Sequence, residues 1–341
     1  MTRLLFAVAL FLITCSAAAA AASETWPAPD WSERLLNRNN AVTALDNYAF
    51  PARDEASREG VRTDALLIIH DGEVVYERYG GVTRADTPHL TWSISKSILA
   101  SVLGVAFGEG RFKLEDPVAR FYPPFSAHPD IKLQDLLHWA SGLDWQDAEH
   151  GTASAPGTSY RYSSGDSTVL AAALKGMVGE RAYADYPWTA LFDPLGMTSA
   201  TWERDATGTF VGSSYAYMTA RDLARIGLLM ERGGRWQDRQ LLPEAWVDFN
   251  LTPFKSLTQT PADEAPGGHW WLNKTADGNL GPWPDAPPDT FAALGHWGQA
   301  LYVIPSAKLV IVRYADDRDG TYDHNQLLKL ALKAVAGEGD Q

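Results

Sequence analysis

Apolar runs near the two ends of the chain have the composition of β-strands. Residues 65–70 and 73–79 are rich in Ile, Val, Leu and Tyr, and Asp71-Gly72 between them is a strong two-residue hairpin signal. Residues 298–304 and 309–315 have the same character. We therefore expect an N-terminal and a C-terminal hairpin that share one antiparallel sheet.

Between these strands the apolar spacing is mostly helical. Residues 91–107 form an almost continuous apolar run that stops at Gly108 and Gly110, as expected for a buried helix. Strand signals are scarce further on, and residues 254–289 are a long loop region rich in Pro, Gly and Trp. Further helices are predicted at residues 131–138, 166–177, 187–195, 220–231, 243–250 and 322–335.

This order of elements predicts an α+β fold, an antiparallel sheet with flanking helices plus an inserted, mostly helical lobe. We place the α/β lobe at about residues 23–112 and 290–341, and the helical lobe with its loops at about 113–289. A cleft is expected between the two lobes. The chain has 341 residues, of which 45% are hydrophobic, enough for a large core in a single domain over residues 23–341.

The first 22 residues have the features of a cleaved secretory signal. Arg3 is followed by a short apolar run, and small residues lead to an expected cut after Ala22. This predicts a periplasmic or secreted protein. Cys15 is the only cysteine and sits in a poor lipoprotein box inside the signal, so we expect no lipid anchor and no disulfide in the mature chain. No other segment is long and apolar enough to span a membrane.

Charge and histidine spacing exclude two classes of function. The net charge of −13 argues against a nucleic-acid partner, because nothing supplies a phosphate-neutralising patch. The eight histidines lack the spacing of metal ligands, so we expect no metal and no cofactor.

The candidate chemistry begins in the buried helix, where Ser93 and Lys96 are three residues apart. Side chains at this spacing lie on one helical face, so a hydroxyl and an amine are held side by side near the helix N-terminus. The positive helix end and an apolar environment disfavour a charged lysine, which makes Lys96 a base for a serine nucleophile. Taken alone, the pair also fits the commoner case of a capping serine and a solvated lysine.

Aromatic residues near the expected cleft have two interpretations each. Tyr162 lies just before a predicted helix, and a phenol near a lysine ammonium ionises more easily, so it can carry the serine proton to a leaving group. Alternatively, Tyr162 is a packing aromatic and Ser164 a helix cap. The tryptophans of the loop region line the cleft or pack in the core; they are Trp270, Trp271 and Trp283.

A third stretch, residues 294–299, opens a C-terminal strand. Gly295 permits close approach of a ligand to the backbone. The backbone N–H groups of Ser93 and Gln299 are a predicted oxyanion hole. His296 taken alone is more often structural than catalytic.

Together these stretches resemble the serine β-lactamase and penicillin-binding superfamily, in its class C-like branch, which includes family VIII esterases and 6-aminohexanoate-dimer hydrolases. The resemblance covers roughly residues 60–315, and residues 140–145 look most like the aminohexanoate-dimer hydrolases. Each stretch is weak alone, and the combination is specific. The matching stretches are residues 91–96 (TWSISK), 113–118 (KLEDPV), 136–145 (LLHWASGLDW), 156–164 (PGTSYRYSS), 194–197 (PLGM), 219–227 (TARDLARIG) and 295–299 (GHWGQ).

The resemblance implies a β-lactamase/transpeptidase-like fold and a serine hydrolase that works through an acyl-enzyme. Ser93 matches the family's nucleophile and Lys96 its partner. Tyr162 matches the acid/base of the Tyr-x-Asn motif.

Two positions depart from the β-lactamase pattern. Ser164 stands where those enzymes carry Asn, and His296-Trp297-Gly298 stands where they carry Lys-Thr-Gly. An imidazole is mostly neutral near pH 7, so the site lacks the cation and the amide that would bind a β-lactam's carboxylate and amide. The resemblance therefore implies that these four residues contact another kind of substrate.

The sequence favours a periplasmic or secreted serine hydrolase that cleaves small esters or amides, with no cofactor. One alternative is a β-lactamase or D-amino-peptide hydrolase. Another, from a different class, is a non-catalytic ligand-binding or sensor protein, which the intact set of Ser93, Lys96 and Tyr162 argues against.

Overall fold

The computed structural model describes residues 24–145, 151–256 and 264–337, so the predicted signal with Cys15 lies outside the described residues. The strands are β1 Thr63–His70, β2 Glu73–Tyr79, β3 His89–Leu90, β4 Thr201–Trp202, β5 Ala216–Met218, β6 Arg235–Trp236, β7 Arg239–Gln240, β8 Glu264–Pro266, β9 Trp271–Thr275, β10 Phe291–Gly295, β11 Gln299–Ile304 and β12 Leu309–Ala315. The helices are α1 Asn40–Ala49, α2 Ile94–Gly108, α3 Leu133–Leu137, α4 Ser164–Val178, α5 Glu180–Tyr183, α6 Asp193–Leu195, α7 Ala220–Glu231, α8 Glu244–Leu251 and α9 His324–Ala336.

A seven-stranded antiparallel sheet joins the two ends of the chain. Its order is β2-β1-β12-β11-β10-β9-β8, so the pairing of β1 with β12 joins the N-terminal hairpin to the C-terminal one. Asp71 and Gly72 both have positive φ, of 51° and 81°, as a tight hairpin between β1 and β2 requires. The prediction that the two hairpins share one sheet is confirmed.

Both faces of the central strands are covered, which explains their continuous apolar sequence. In β1, Leu67 and Ile69 face a core built with α2 and α7, whereas Leu66 and Ile68 face a second core built with α1 and α9. Neighbouring residues of one strand therefore enter different cores, as the two-residue period of a strand demands.

Helix α2 is the element on which the site depends. All of its residues from Ile94 to Ala106 are buried, so it has no polar face. It packs against the sheet at β10 and β11 and against α4 and α8 on its other side. The predicted buried helix is confirmed, and it ends at Gly108 as expected.

The prediction that residues 254–289 form a long loop region is partly wrong, because these residues contribute β8 and β9 to the sheet. Strand β10 was also not predicted as a strand. These segments are short or rich in Gly, Pro and Ala, so their extended form comes from pairing with distant strands rather than from local propensity. Trp270 and Trp283 are buried in the two cores, whereas Trp271 is half-buried.

The α+β class is confirmed. Across residues 24–145, 151–256 and 264–337, no helix combines the length and apolar character that crossing a membrane needs.

Candidate active site

The first turn of α2 brings the predicted nucleophile and its base together. Ser93 is the N-cap residue of α2, and Lys96 Nζ lies 3.0 Å from Ser93 Oγ. The same Nζ donates to the backbone carbonyl of Ser213 at 3.0 Å. The Ser93 hydroxyl makes no capping bond, and Lys96 is only 2% exposed. The alternative of a capping serine and a solvated lysine therefore does not describe this pair.

Burial sets the protonation of Lys96. Its removal from water lowers the pKa of Lys96 to about 8. Near neutral pH a fraction of the molecules therefore carry the free amine, which accepts a proton from a hydroxyl 3.0 Å away.

Tyr162 lies beside this pair. Lys96 Nζ is 4.9 Å from the centroid of its ring. Burial raises the pKa of Tyr162, and the nearby Ser93 side chain offsets this only in part. The structure gives no support to the prediction that Lys96 makes Tyr162 easier to ionise, because burial is the largest effect on this pKa and raises it, and Lys96 Nζ lies over the ring. Tyr162 is a neutral phenol that remains 39% exposed to an incoming substrate.

Neighbouring rings fix the position of Tyr162. Its ring centroid is 5.0 Å from that of Trp139 and 5.6 Å from that of Trp271. Trp139 stacks in turn on His269, with centroids 4.5 Å apart and planes 7° from parallel. Of the three candidate cleft tryptophans, Trp271 is the one that contacts a predicted site residue.

His269 is a site residue that sequence reasoning missed. It is fully buried, with Nδ1 2.6 Å from the Leu137 carbonyl oxygen and Nε2 2.8 Å from Ser167 Oγ. Burial lowers the pKa of His269 to about 3, so the ring is neutral. A lone histidine in a loop-like stretch gives no sequence signal; only the fold places it under Trp139.

Left-handed backbone conformations concentrate around Ser93. Bulky residues avoid this region at a cost of about 1–3 kcal/mol each, so they persist only where surrounding structure holds them. The aromatic residues with positive φ are Trp92 (50°), Trp139 (51°), Tyr215 (62°), His269 (66°) and Trp297 (59°). The backbone is therefore constrained on both sides of the nucleophile.

The turn between β10 and β11 lies against the start of α2. A Cβ placed on Gly295 would be 2.5 Å from the Thr91 carbonyl oxygen, so this approach requires glycine. The rings of His296 and Trp297 lie 5.5 and 5.2 Å from that of Trp92. The structure thus brings the predicted turn next to the predicted nucleophile.

Gln299 is held inside the sheet and has no exposed surface. Its side-chain amide donates to the His296 carbonyl at 3.0 Å, and its Oε1 accepts from the Ala315 N–H at 2.9 Å. These bonds tie the turn to β12. The backbone N–H of Gln299 stays a prediction as an oxyanion donor, and its burial weighs against direct contact with substrate; His296 is the exposed member of the turn.

The start of α4 differs from one alternative that the sequence allowed. Ser163, not Ser164, caps α4, and its Oγ accepts from the Gly165 N–H at 2.9 Å. Ser164 is exposed as the first residue of the helix. Its side chain is therefore free of a capping role, and its contact with substrate remains a prediction.

A cavity of about 670 Å³ lies next to Trp92 and Trp297. Its lining also includes charged side chains such as Arg53, Arg62 and Asp64, and Ser93 itself is not among its lining residues. This volume lies in the range of small-molecule sites. Among the described residues, no group of three or more His, Cys, Asp or Glu side chains is arranged to hold a metal ion.

Comparisons with known proteins bear on the family and the fold. The family model described as Beta-lactamase matches residues 45–336. A 6-aminohexanoate-dimer hydrolase of Paenarthrobacter ureafaciens is 26% identical over 328 residues, which cover 83% of this chain and 80% of the relative. The fold is similar to that of EstCE1, a hydrolase with promiscuous acyltransferase activity, at a TM-score of 0.70 and 17% identity over 86% of this chain and 98% of that one. A family VIII carboxylesterase superposes at a TM-score of 0.66 with 16% identity over 87% and 98% of the two chains.

Proposed function

The chain belongs to the beta-lactamase family, and from this membership we propose that it is a periplasmic or secreted serine hydrolase that cleaves small esters or amides through an acyl-enzyme on Ser93. The observation that carries the proposal is the 3.0 Å contact between Ser93 Oγ and a buried Lys96 amine. Burial makes a fraction of Lys96 a free amine near neutral pH, and a serine nucleophile needs such a base.

In the acylation step, Lys96 in its free-amine form takes the Ser93 proton as Oγ attacks the substrate carbonyl. The negative charge that develops on the carbonyl oxygen is stabilised by backbone N–H groups, for which we propose Ser93 and the turn that ends at Gln299. The neutral Tyr162 phenol, whose ring centroid is 4.9 Å from Lys96 Nζ, protonates the leaving alcohol or amine and is reprotonated from Lys96. The products of this step are the Ser93 ester and the free leaving group.

Deacylation reverses these roles with water as the nucleophile. The Tyr162–Lys96 pair removes a proton from water, which attacks the Ser93 ester. Ser93 Oγ leaves with a proton, and the acid product departs. The chemistry calls on no group beyond the chain's own residues and water.

The surroundings of Ser93 favour an uncharged acyl or alkyl substrate. Trp92 and Trp297 give apolar surface beside the nucleophile, and the Arg318 guanidinium that stacks on Trp297 is already paired with Asp316 at 2.6 Å. The exposed His296 stands where β-lactamases carry a lysine, so carboxylate pairing is weakened. Relatives described as a 6-aminohexanoate-dimer hydrolase and a carboxylesterase support small amides and esters as substrates.

The location rests on the sequence of the first 22 residues, with Arg3, an apolar run and small residues up to Ala22. N-terminal sequencing of the protein recovered from the periplasm or medium tests this part of the proposal. A start near Ser23 is expected, and an intact Met1 in a cytoplasmic fraction would contradict it.

The test of the nucleophile is covalent labelling with a fluorophosphonate, combined with hydrolysis of p-nitrophenyl butyrate. We expect one label per chain, lost in Ser93→Ala together with hydrolysis. Ser101→Ala is the matched control, because it also removes a serine hydroxyl from α2. The Ser101 hydroxyl donates to the Ser97 carbonyl. Label on Ser93 without turnover of any substrate would favour the ligand-binding or sensor alternative.

The substrate class is tested by kcat/KM for p-nitrophenyl butyrate, a linear aminohexanoate dimer and nitrocefin at one pH. We expect the ester or the amide dimer to be preferred. A tenfold preference for nitrocefin, about 1.4 kcal/mol of transition-state binding, would show that the protein is a β-lactamase.

A further inference from the structure

A buried carboxyl group lies behind the Tyr162 segment. Asp166 has no exposed surface, and its Oδ1 accepts from Ser141 Oγ at 2.8 Å and from Trp145 Nε1 at 2.7 Å. Its Oδ2 is buried with no hydrogen-bond partner in the described part of the chain. A buried carboxylate oxygen without a partner is costly, and among the unpartnered buried side-chain atoms of the described residues Asp166 Oδ2 is the one that belongs to a carboxyl group.

Asp166 joins the two segments that meet at Tyr162. On one side, Ser163 caps α4 by accepting from the N–H of Asp166 at 3.4 Å, so the carboxyl group belongs to the turn that carries Tyr162. On the other side, its bonds hold residues 139–145, whose Trp139 ring contacts Tyr162 at 5.0 Å.

The packing between these segments is tight. A Cβ on Gly165 would lie 2.2 Å from Cδ2 of Trp145, so the indole rests directly on the backbone next to Asp166. The N–H of Arg161 donates to the Trp139 carbonyl at 2.8 Å. A change in the Asp166 bonds is therefore transmitted to the aromatic contact that orients Tyr162.

We propose that Asp166 is a positioning residue for Tyr162, and that its ionised carboxylate clamps Ser141 and Trp145 so that Tyr162 holds its working orientation. This inference rests on the proposed function, in which Tyr162 moves the proton. Hydrogen bonds to an ionised acceptor are about twice as strong as neutral ones, so protonation loosens the clamp.

The charge on Asp166 changes near neutral pH. Burial raises its pKa to about 7, against the lowering effect of the bonds from Ser141 and Trp145. Asp135 on α3 faces it and raises the pKa further. The other titratable groups of the packed elements are Lys96 on α2 and the buried His138 and His269, whose pKa values of about 4 and about 3 keep both rings neutral.

Asp166→Asn tests the proposal, because it keeps an oxygen acceptor for both donors and cannot ionise. We expect its kcat to match the wild type at pH 5.5 and to be about tenfold lower at pH 8.5. This loss is smaller than the roughly 100-fold loss that follows a misplacement of one ångström. KM is expected to change little. The ratio of the two kcat values removes the titration of Lys96, which both proteins share.

Glu231→Gln on α7 is the matched control, since it neutralises another carboxyl group whose pKa burial raises and which is not among the groups that shift the pKa of Asp166. We expect its kcat ratio to the wild type to be independent of pH. A ratio for Asp166→Asn that is equally constant from pH 5.5 to 8.5 would overturn the proposal. If the wild type hydrolyses no substrate at all, the proposed function fails and this inference fails with it, a distinguishable result.

Trp145→Phe gives a second route if Asp166→Asn folds poorly. Losing one donor to Oδ1 destabilises the carboxylate, so its titration moves to higher pH. The loss of activity in the variant is therefore expected to be greatest near pH 7–8, where Asp166 is largely ionised only in the wild type. Activity is expected to recover at higher pH. A loss that is the same at every pH would mean that Trp145 acts through packing alone, and the proposal would be wrong.

Discussion

At the scale of single residues, the proposed mechanism requires Ser93, Lys96 and Tyr162 to work as one proton-transfer unit. Lys96 Nζ contacts Ser93 Oγ at 3.0 Å and lies 4.9 Å from the Tyr162 ring centroid. A proton lost by one member is therefore received by another without crossing bulk water. Groups coupled in this way are not additive when they are removed.

A double-mutant cycle measures this coupling. Lys96→Ala and Tyr162→Phe are each expected to lower kcat by several powers of ten, and the double variant to be little worse than either. Single-turnover hydrolysis of p-nitrophenyl butyrate gives the three rates. Losses that add in free energy would show that the two residues work independently.

The depressed pKa of Lys96 gives a prediction for pH. Since only the free amine accepts the Ser93 proton, kcat/KM should rise with pH and level off above about 8, the pKa that burial imposes on Lys96. The folded-state pKa lies below the usual value of 10.5, so the unfolded chain binds more protons between these values and stability rises with pH there.

The corresponding stability measurement uses Lys96→Met. Its gain in melting temperature over the wild type should be largest below pH 8, where burying the ammonium is costly, and should fade towards pH 10.5. A gain that does not depend on pH would mean that Lys96 is not desolvated in the folded protein.

At the scale of elements, the close approach of the β10–β11 turn to the start of α2 aligns the two halves of the site. Gly295 has an extended φ of −131°, so alanine is allowed by its backbone, and a methyl group is opposed by the Thr91 carbonyl oxygen at 2.5 Å and by Gln299 Cβ at 2.9 Å. Displacing this turn moves His296, Trp297 and the proposed oxyanion donors away from Ser93.

Gly295→Ala is therefore expected to lower kcat about 100-fold, the scale reported for an ångström of misplacement, with a small loss of melting temperature. Gly337→Ala is the control, because its φ of −68° suits alanine and its new Cβ would meet atoms no closer than 3.4 Å. Full activity in Gly295→Ala would show that the turn does not need this approach.

What the sequence predicts at this scale depends on how local the signal is. Turn residues and apolar spacing predict the β1–β2 hairpin, α2 and α7. Helix α7 lies at Ala220–Glu231 as predicted. Strands β8, β9 and β10 are fixed by distant partners and were missed. The Ser93–Lys96 pair follows from helical spacing, whereas His269 under Trp139 and Asp166 behind Tyr162 depend on contacts between segments far apart in the chain.

At the scale of the whole molecule, a buried ion pair ties the two chain ends to the site. Arg313 on β12 has no exposed surface; it pairs with Asp317 and donates through Nε to Thr63 Oγ1 on β1 at 3.0 Å. Its Nη1 donates to the Gly298 carbonyl at 2.9 Å. Asp317 also accepts from the Arg62 N–H at 2.7 Å. This cluster therefore holds together the β1–β12 pair and the turn between β10 and β11 that lies beside Ser93.

Breaking this pair from one side should be costly for both stability and activity. Arg313→Met leaves the Asp317 carboxylate buried and unpaired, for which we expect about 3–5 kcal/mol lost from the free energy of unfolding. Arg313→Met with Asp317→Leu removes both charges and should recover part of that loss, although the Arg62 N–H then lacks its acceptor. In both variants the Gly298 carbonyl loses its donor, so kcat should stay low even where stability returns. Urea unfolding and p-nitrophenyl butyrate hydrolysis on the same samples separate the effect on stability from the effect on kcat. A double variant that is less stable than Arg313→Met would show that the bonds to Thr63 and Arg62, rather than the buried charge, dominate the stability of this cluster.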